Sequence, residues 1–177
     1  MNFENMNIEK TVLDSLNDIG FKTPTNIQYE TIPIIKQGYD VIGQSKTGSG
    51  KTAAFGIPLV EAISRNGKLQ GLVLAPTREL AKQIACEIEK FSRFKGLRIQ
   101  AIYGGVAMGP QVSGLRRSEI VVGTPGRIID HMTRGNMNTD NIVMFILDEA
   151  DRMIDMGFID DIEEIEKKIP KDRQTLL

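Results

Sequence analysis

Three short runs constrain the fold of this chain most: GLVLA (71–75), EIVVG (119–123) and VMFIL (143–147). Each is apolar at nearly every position, so each presents hydrophobic side chains on both faces of an extended strand. An alternating pattern marks a sheet with one wet face, whereas unbroken runs need cover on both. Between them, apolar residues recur every three to four positions. Leu80, Ile84, Ile88 and Phe91 form one such stripe; Ala53, Ala54, Ile57, Val60 and Ile63 form another. Strand and helix in alternation predict a parallel sheet with helices on both sides. Ligands of such folds bind beyond the carboxyl ends of the strands.

The same reading extends along the chain. Helices are expected at 8–19, at 26 to about 36 with Pro33 kinking or restricting it, at about 126–134 and near 159–168. Further strands are expected at 40–44, 98–103 and 174–177, and the strand that contains VMFIL is expected to run over 141–147. With 177 residues, 41% of them apolar, the chain suits one domain with its own core. Its net charge of −1 gives no bulk attraction to nucleic acid, so any such site must be a local patch. The lone cysteine excludes an internal disulfide and fits a reducing compartment; Cys86 reads as a small packing residue in its helix. His131 reads as solvent-facing, and the acidic-basic run at 163–168 as a solvated helix face. The longest apolar run, 142–147, is far below the ~20 residues that span a bilayer. The expectation is a cytoplasmic protein with no membrane partner.

SKTGSGKT (45–52) follows the strand expected at 40–44 and opens the helix bearing Ala53 and Ala54. Gly48 and Gly50 permit a backbone that turns successive N–H groups onto an anion, and the helix start adds positive potential. Lys51 brings a full charge to outer phosphates, and Thr52 a hydroxyl suited to Mg²⁺. The usual pattern is G-x-x-x-x-G-K-[ST]; here Ser45 holds the first glycine position.

VMFIL ends in Asp148 and Glu149. A carboxylate at a buried strand's end suits the Mg²⁺ that bridges β- and γ-phosphates, directly or through water. The next carboxylate can orient and partly deprotonate an attacking water. Together the two segments point to nucleoside triphosphate hydrolysis without saying what it drives. A small-molecule kinase should carry a lid, and no candidate is found. A GTPase should carry N-K-x-D, which is absent. A non-catalytic, nucleotide-gated binding scaffold remains the alternative from another class.

Residues 148–151 spell DEAD, and the chain resembles the first RecA-like domain of a DEAD-box ATP-dependent RNA helicase. GFKTPTNIQ (20–28) is similar to the family's Q motif, with Phe3 at the position of its upstream aromatic. SKTGSGKT resembles motif I, whose first position tolerates Ser; APTREL (75–80) resembles motif Ia; Gly104 and Gly105 match the GG element; TPGR (124–127) resembles motif Ib. The resemblance implies an α/β, RecA-like three-layer fold, mostly parallel, with helices on both faces. It divides the chain into a Q-motif region (1–38) and a P-loop core (39–177).

It further implies a nucleotide site of Phe3, Phe21, Thr23, Gln28, Ser45, Lys46, Thr47, Gly48, Ser49, Gly50, Lys51 and Thr52. Lys51, Asp148 and Glu149 would be catalytic, and Thr52 and Asp148 would hold Mg²⁺. A glutamine amide offers a donor and an acceptor in one plane, so Gln28 would read adenine's N6 and N7 edge and select ATP over GTP. Phe3 would stack on the base, while Phe21, Thr23 and Pro24 hold the turn. RNA would lie on Pro76, Thr77, Arg78, Gly104, Gly105, Thr124, Pro125, Gly126 and Arg127 through backbone contacts independent of sequence. Asp151 would couple to a second RecA-like domain. That domain, absent from these residues, supplies arginine fingers worth roughly 10³–10⁵ in rate. The chain alone is therefore expected to bind adenine nucleotide weakly, to hydrolyse ATP very slowly and not to unwind RNA.

Overall fold

The computed structural model describes residues 2–46 and 48–177. A 3-10 turn at Phe3–Met6 precedes α1 (Lys10–Asp18), α2 (Asn26–Lys36) and α3 (Lys51–Ala62). Then β1 (Gly71–Leu74), α4 (Arg78–Phe91), β2 (Ile99–Ile102), α5 (Met108–Leu115), β3 (Ile120–Gly123) and α6 (Pro125–Thr133) alternate. The last elements are β4 (Met144–Leu147), α7 (Ala150–Asp155), α8 (Ile159–Lys167) and β5 (Gln174–Leu176).

The five strands form one sheet in the order β2-β3-β1-β4-β5, and every described pairing is parallel. Alternate residues of each strand enter opposite cores. Val73, Ile120, Val122, Met144 and Ile146 join a core with Leu16 of α1, Ile32 of α2, Ile57 of α3 and Ile84 of α4. Leu72, Leu74, Val121, Phe145 and Leu147 join another with Leu115 of α5, Ile128 of α6, Met153 of α7 and Ile165 of α8. Two cores on two faces are what the unbroken apolar strands require, and they make the three layers.

Leu74 pairs with Gly123 and with Leu147, and Ile102 also pairs with Gly123. Four strands therefore end level, and the loops after them share one rim. Those loops begin with Ala75, Tyr103, Thr124 and Asp148.

Five local points differ from expectation. Segment 40–44 forms a single parallel bridge, Val41 to Leu176, and no strand. Its neighbour β5 has only three residues, and the Asp40 carboxylate takes the Thr175 N–H that would extend the ladder. Helix α5 was not expected because Gly109, Pro110 and Gly114 hide its periodicity. Helix α7 is six residues long, too short for a helical period to show. Helix α1 begins at Lys10, two residues later than its apolar pattern, although Ile8 is still buried. Helix α2 runs through Pro33, and the carbonyl that Pro33 deprives of a donor belongs to Tyr29, on the exposed side.

Candidate nucleotide and nucleic-acid site

The phosphate loop is shaped by its glycines and its serines. Gly48 and Gly50 sit at φ of +80° and +91°, a left-handed region costly for other residues. The Ser45 and Ser49 hydroxyls lie 2.6 Å apart, tying the two sides of the loop together. The serine that departs from the usual glycine thus has a structural partner. Lys51 opens α3 and Thr52 follows, both half-buried. Lys46 is exposed, and Thr47 lies outside the described residues.

Asp148 continues β4: its N–H donates to the Leu74 carbonyl at 3.0 Å, and its side chain is buried. Burial holds its carboxyl above the ordinary range; Lys51 pulls the other way and Glu149 adds to the rise. Glu149 is one of two described non-glycine residues at positive φ, +54°. Such strain is uncommon and clusters at functional positions. Its carboxylate accepts a hydrogen bond from Arg152 at 3.0 Å. Lys51, Asp148 and Glu149 together line two adjoining cavities. The first also meets Ser45 and Asp151. The second, about 560 Å³, meets Gly48, Gly50, Thr52 and Phe21. The glycine loop and the acid pair therefore face one space.

Gln28 is buried, at 2% exposure, and cannot be an ordinary surface residue of α2. Its Oε1 accepts from the Thr25 N–H at 3.0 Å, half of a capping box at the start of α2. Its Nε2 donates to the Gly50 carbonyl at 3.0 Å. The glutamine thus fastens α2 to the phosphate loop. Phe3 stands against expectation: at 1% exposure its ring is core, with no face free for a base. It lies under Phe21, centroids 6.4 Å apart, because the 3-10 turn folds it inward. Phe21, at 37% exposure, lines the second cavity beside the buried Phe91. Thr23 is exposed and Pro24 buried in the turn between α1 and α2.

The rim residues fall into two groups. Arg78 is exposed at the start of α4, and a Cβ on Gly105 would come 3.5 Å from its Nη1. Gly104, Gly105 and Gly126 are exposed, and the space where a side chain would stand on Gly104 and Gly126 is open. Thr124 precedes α6 and makes no capping hydrogen bond, so its hydroxyl is not used there. The second group is occupied. Pro76 and Pro125 are buried and shape turns rather than offer contacts. The Thr77 hydroxyl caps α4 by accepting from Leu80 N–H. Arg127 of α6 donates from Nη1 to the Val106 carbonyl and to Gln111 Oε1, each at 3.1 Å, so its guanidinium is engaged with the loop after β2 and with α5.

Two bland readings need correction. His131 is fully buried, because α6 turns it toward α5 and Gln111. Cys86 is exposed, because it falls beside the buried stripe of α4 and not on it. The site also includes residues the motifs do not name. Gln83, Glu87 and Lys90 line the second cavity from α4. Their spacing of three and four on the polar side of that helix was the available signal. Lys82 lies over the Tyr103 ring at 4.9 Å, beside the glycine pair.

The DEAD/DEAH box helicase family model matches residues 25–177. The chain belongs to that family. A probable ATP-dependent RNA helicase of Methanocaldococcus jannaschii is 48% identical over the whole chain, which covers 48% of that protein. An ATP-dependent RNA helicase, CshA, of Listeria monocytogenes is 47% identical over 99% of this chain and 34% of its own length. The helicase domain superposes on the crystal structure of a DEAD box protein from Methanococcus jannaschii with a TM-score of 0.96, covering 49% of that chain at 48% identity. A hypothetical ATP-dependent RNA helicase from Sulfolobus tokodaii gives 0.88 at 38% identity, over 96% of this chain and 49% of that one. The RecA-like architecture is thus shared. The helicase domain spans about half, or less, of the length of these relatives. Among the described residues no helix is long and apolar enough to cross a membrane.

Proposed function

We propose that this domain binds ATP with Mg²⁺ as the N-terminal half of an ATP-dependent RNA helicase acting in the cytoplasm. The observation that carries the reading is the shared lining of the cavities by Lys51, Asp148 and Glu149. Amides around Gly48–Gly50 and the first turn of α3 would hold the phosphates, and Lys51 would neutralise their outer charge. One buried carboxylate and one hydroxyl fit Mg²⁺, which keeps several waters and takes phosphate oxygens as ligands. Thr52 and Asp148 would hold it, and it would supply charge neutralisation at the phosphates. Glu149 would accept a hydrogen bond from the attacking water and draw its proton away.

Gln28 would read the base. Each end of its amide makes one bond in this structure, so one N–H and one lone pair are left. Adenine's N7 and N6 need one of each, and guanine's O6 offers an acceptor where N6–H is needed. Phe21, the exposed aromatic in that lining, would pack beside the nucleotide.

Arg78, the Gly104–Gly105 backbone, Thr124 and the Gly126 backbone would hold RNA through phosphates and sugars, independent of sequence. A second RecA-like domain of the same polypeptide would close over both ligands, with Asp151 on the coupling surface. Without that domain the chain would turn over ATP very slowly and would not unwind RNA.

Titration with fluorescent ATP and GTP analogues tests the nucleotide half. ATP should bind more tightly than GTP, Lys51→Ala should lose both, and Glu149→Gln should bind but not hydrolyse. Equal affinity for GTP removes the role given to Gln28. Strong RNA-stimulated turnover by this chain alone contradicts the need for a second domain.

A further inference from the structure

The glycine loop after β2 carries almost no side chains that could fix its shape. Gly104 and Gly105 are exposed, and Gly105 sits at φ +79°. What holds the loop comes from beneath. Gln111 of α5, 4% exposed, donates from Nε2 to the Tyr103 carbonyl at 3.0 Å, where the loop begins. Its Oε1 accepts from Arg127 Nη1 at 3.1 Å. The same Nη1 donates to the Val106 carbonyl, where the loop ends. One amide and one guanidinium therefore pin both sides of a four-residue span.

Behind them stands His131. Its Nε2 lies 2.9 Å from Gln111 Oε1. That oxygen can only accept, so Nε2 carries the proton and donates. Nδ1 is then the acceptor, and it faces Asn136 Nδ2 at 3.4 Å. The network uses the neutral imidazole in one tautomer. With two donors on Oε1, the Gln111 amide cannot flip without setting donor against donor. Its Nε2 is thereby aimed at Tyr103. A buried polar network of this kind, with its partners supplied, fixes one arrangement.

We propose that Gln111, locked by His131, is a positioning residue of the nucleic-acid track, and that Arg127 acts there by shaping the glycine loop instead of by taking a phosphate. The proposal rests on the RNA reading above. It assigns function to an α5 glutamine outside every sequence motif and to a histidine that reads as an ordinary helix residue. Exposed glycine amides recognise a phosphate only where they converge on it, so loss of the pins spreads the loop and weakens RNA without touching the nucleotide cavity.

The test uses this chain, a fluorescently labelled single-stranded oligouridylate at low salt, a fluorescent ADP analogue, and amide spectra of the ¹⁵N-labelled protein. Gln111→Leu keeps the volume and removes the bonds. It should weaken oligouridylate binding about fivefold to tenfold, the worth of roughly one hydrogen bond, with ADP binding unchanged. The Gly104 and Gly105 amide resonances should move, a readout that a general loss of stability would not single out. His131→Leu should weaken RNA binding in the same direction. His131→Gln, whose Nε2 can still donate to Gln111, should restore most of the loss, which keeps the idea testable should Gln111→Leu fold poorly. Arg127→Gln should lower affinity with little change in salt slope, whereas a true phosphate ligand should take about 0.7 from that slope. RNA binding left intact by Gln111→Leu and His131→Leu, with unmoved glycine resonances, overturns the proposal alone. No RNA binding by the unaltered chain overturns the track reading and the proposal with it.

Discussion

Gly50 joins the phosphate loop to Gln28, so replacing it tests whether that joint is physical. Gly50 has φ +91° and ψ +24° and caps α3. A Cβ placed on it would lie 2.3 Å from Gln28 Nε2, 3.3 Å from Gln28 Cδ and 3.1 Å from Thr25 Oγ1. The 2.3 Å approach cannot stand, and the flexible glutamine tip is what gives way. When it moves it abandons two hydrogen bonds, to Gly50 O and from Thr25 N. Those bonds are worth about 1 kcal/mol each. A left-handed alanine costs about 1.5 kcal/mol, and the stiffer unfolded chain returns about 0.7. The net cost of Gly50→Ala is then about 3 kcal/mol, or roughly 6–12 °C in Tm for a domain of this size.

The decisive number is a coupling. In a Gln28→Ala background nothing blocks the new methyl from the glutamine side, and the two bonds are already gone. Gly50→Ala should then cost only its backbone strain, about 1 kcal/mol. The double-mutant cycle, read by urea denaturation of the four proteins, should show a coupling of about 2 kcal/mol. A cost for Gly50→Ala that is equal in both backgrounds, within about 0.5 kcal/mol, refutes the joint.

Three further expectations follow from charge and burial. Asp148 has a folded pKa above its ordinary 3.8, so the native state binds the extra proton and stability falls as pH rises through that window. Asp148→Asn should raise the urea midpoint at neutral pH, the gain shrinking as pH falls toward 3.8, while Mg²⁺-dependent ATP binding is lost; a lower midpoint at neutral pH contradicts the burial argument. His131 has a folded pKa below 6.5, first from burial and then from Arg127, so the unfolded state binds more protons and stability should fall as pH drops below that value. His131→Gln should flatten that slope in thermal melts between pH 5 and 7, and an unchanged slope places the titration elsewhere. Arg78→Gln should reduce the salt slope of oligouridylate binding by about 0.7, one single-strand phosphate, and an unaltered slope removes Arg78 from the track.

The layers were legible because burial on both faces leaves an unmistakable composition. Val73 and Leu74 must each find a core, and only a sheet covered twice supplies two. The meeting of Lys51 with Asp148 and Glu149 followed from the same logic: β4 brings the acid pair to the rim, and the parallel bridge from Val41 to Leu176 brings the phosphate loop beside it. What the sequence hid was the direction of individual side chains. Phe3 and Phe21 are both aromatics near one motif, and a single 3-10 turn decides which is core and which is surface. His131 sits among Asp130 and Arg134, charged neighbours that pair with each other outside while the imidazole points inward. Arg127 looks like a phosphate ligand until α5 is in place, and α5 is the helix that its glycines and proline conceal. The missed helix and the missed partner of Arg127 therefore have one cause. Without α5 there is no Gln111, and without Gln111 neither the Arg127 guanidinium nor the His131 ring has its buried partner. A short helix of poor helix-formers is stabilised by what it holds. Here that is the loop on which the nucleic-acid reading turns.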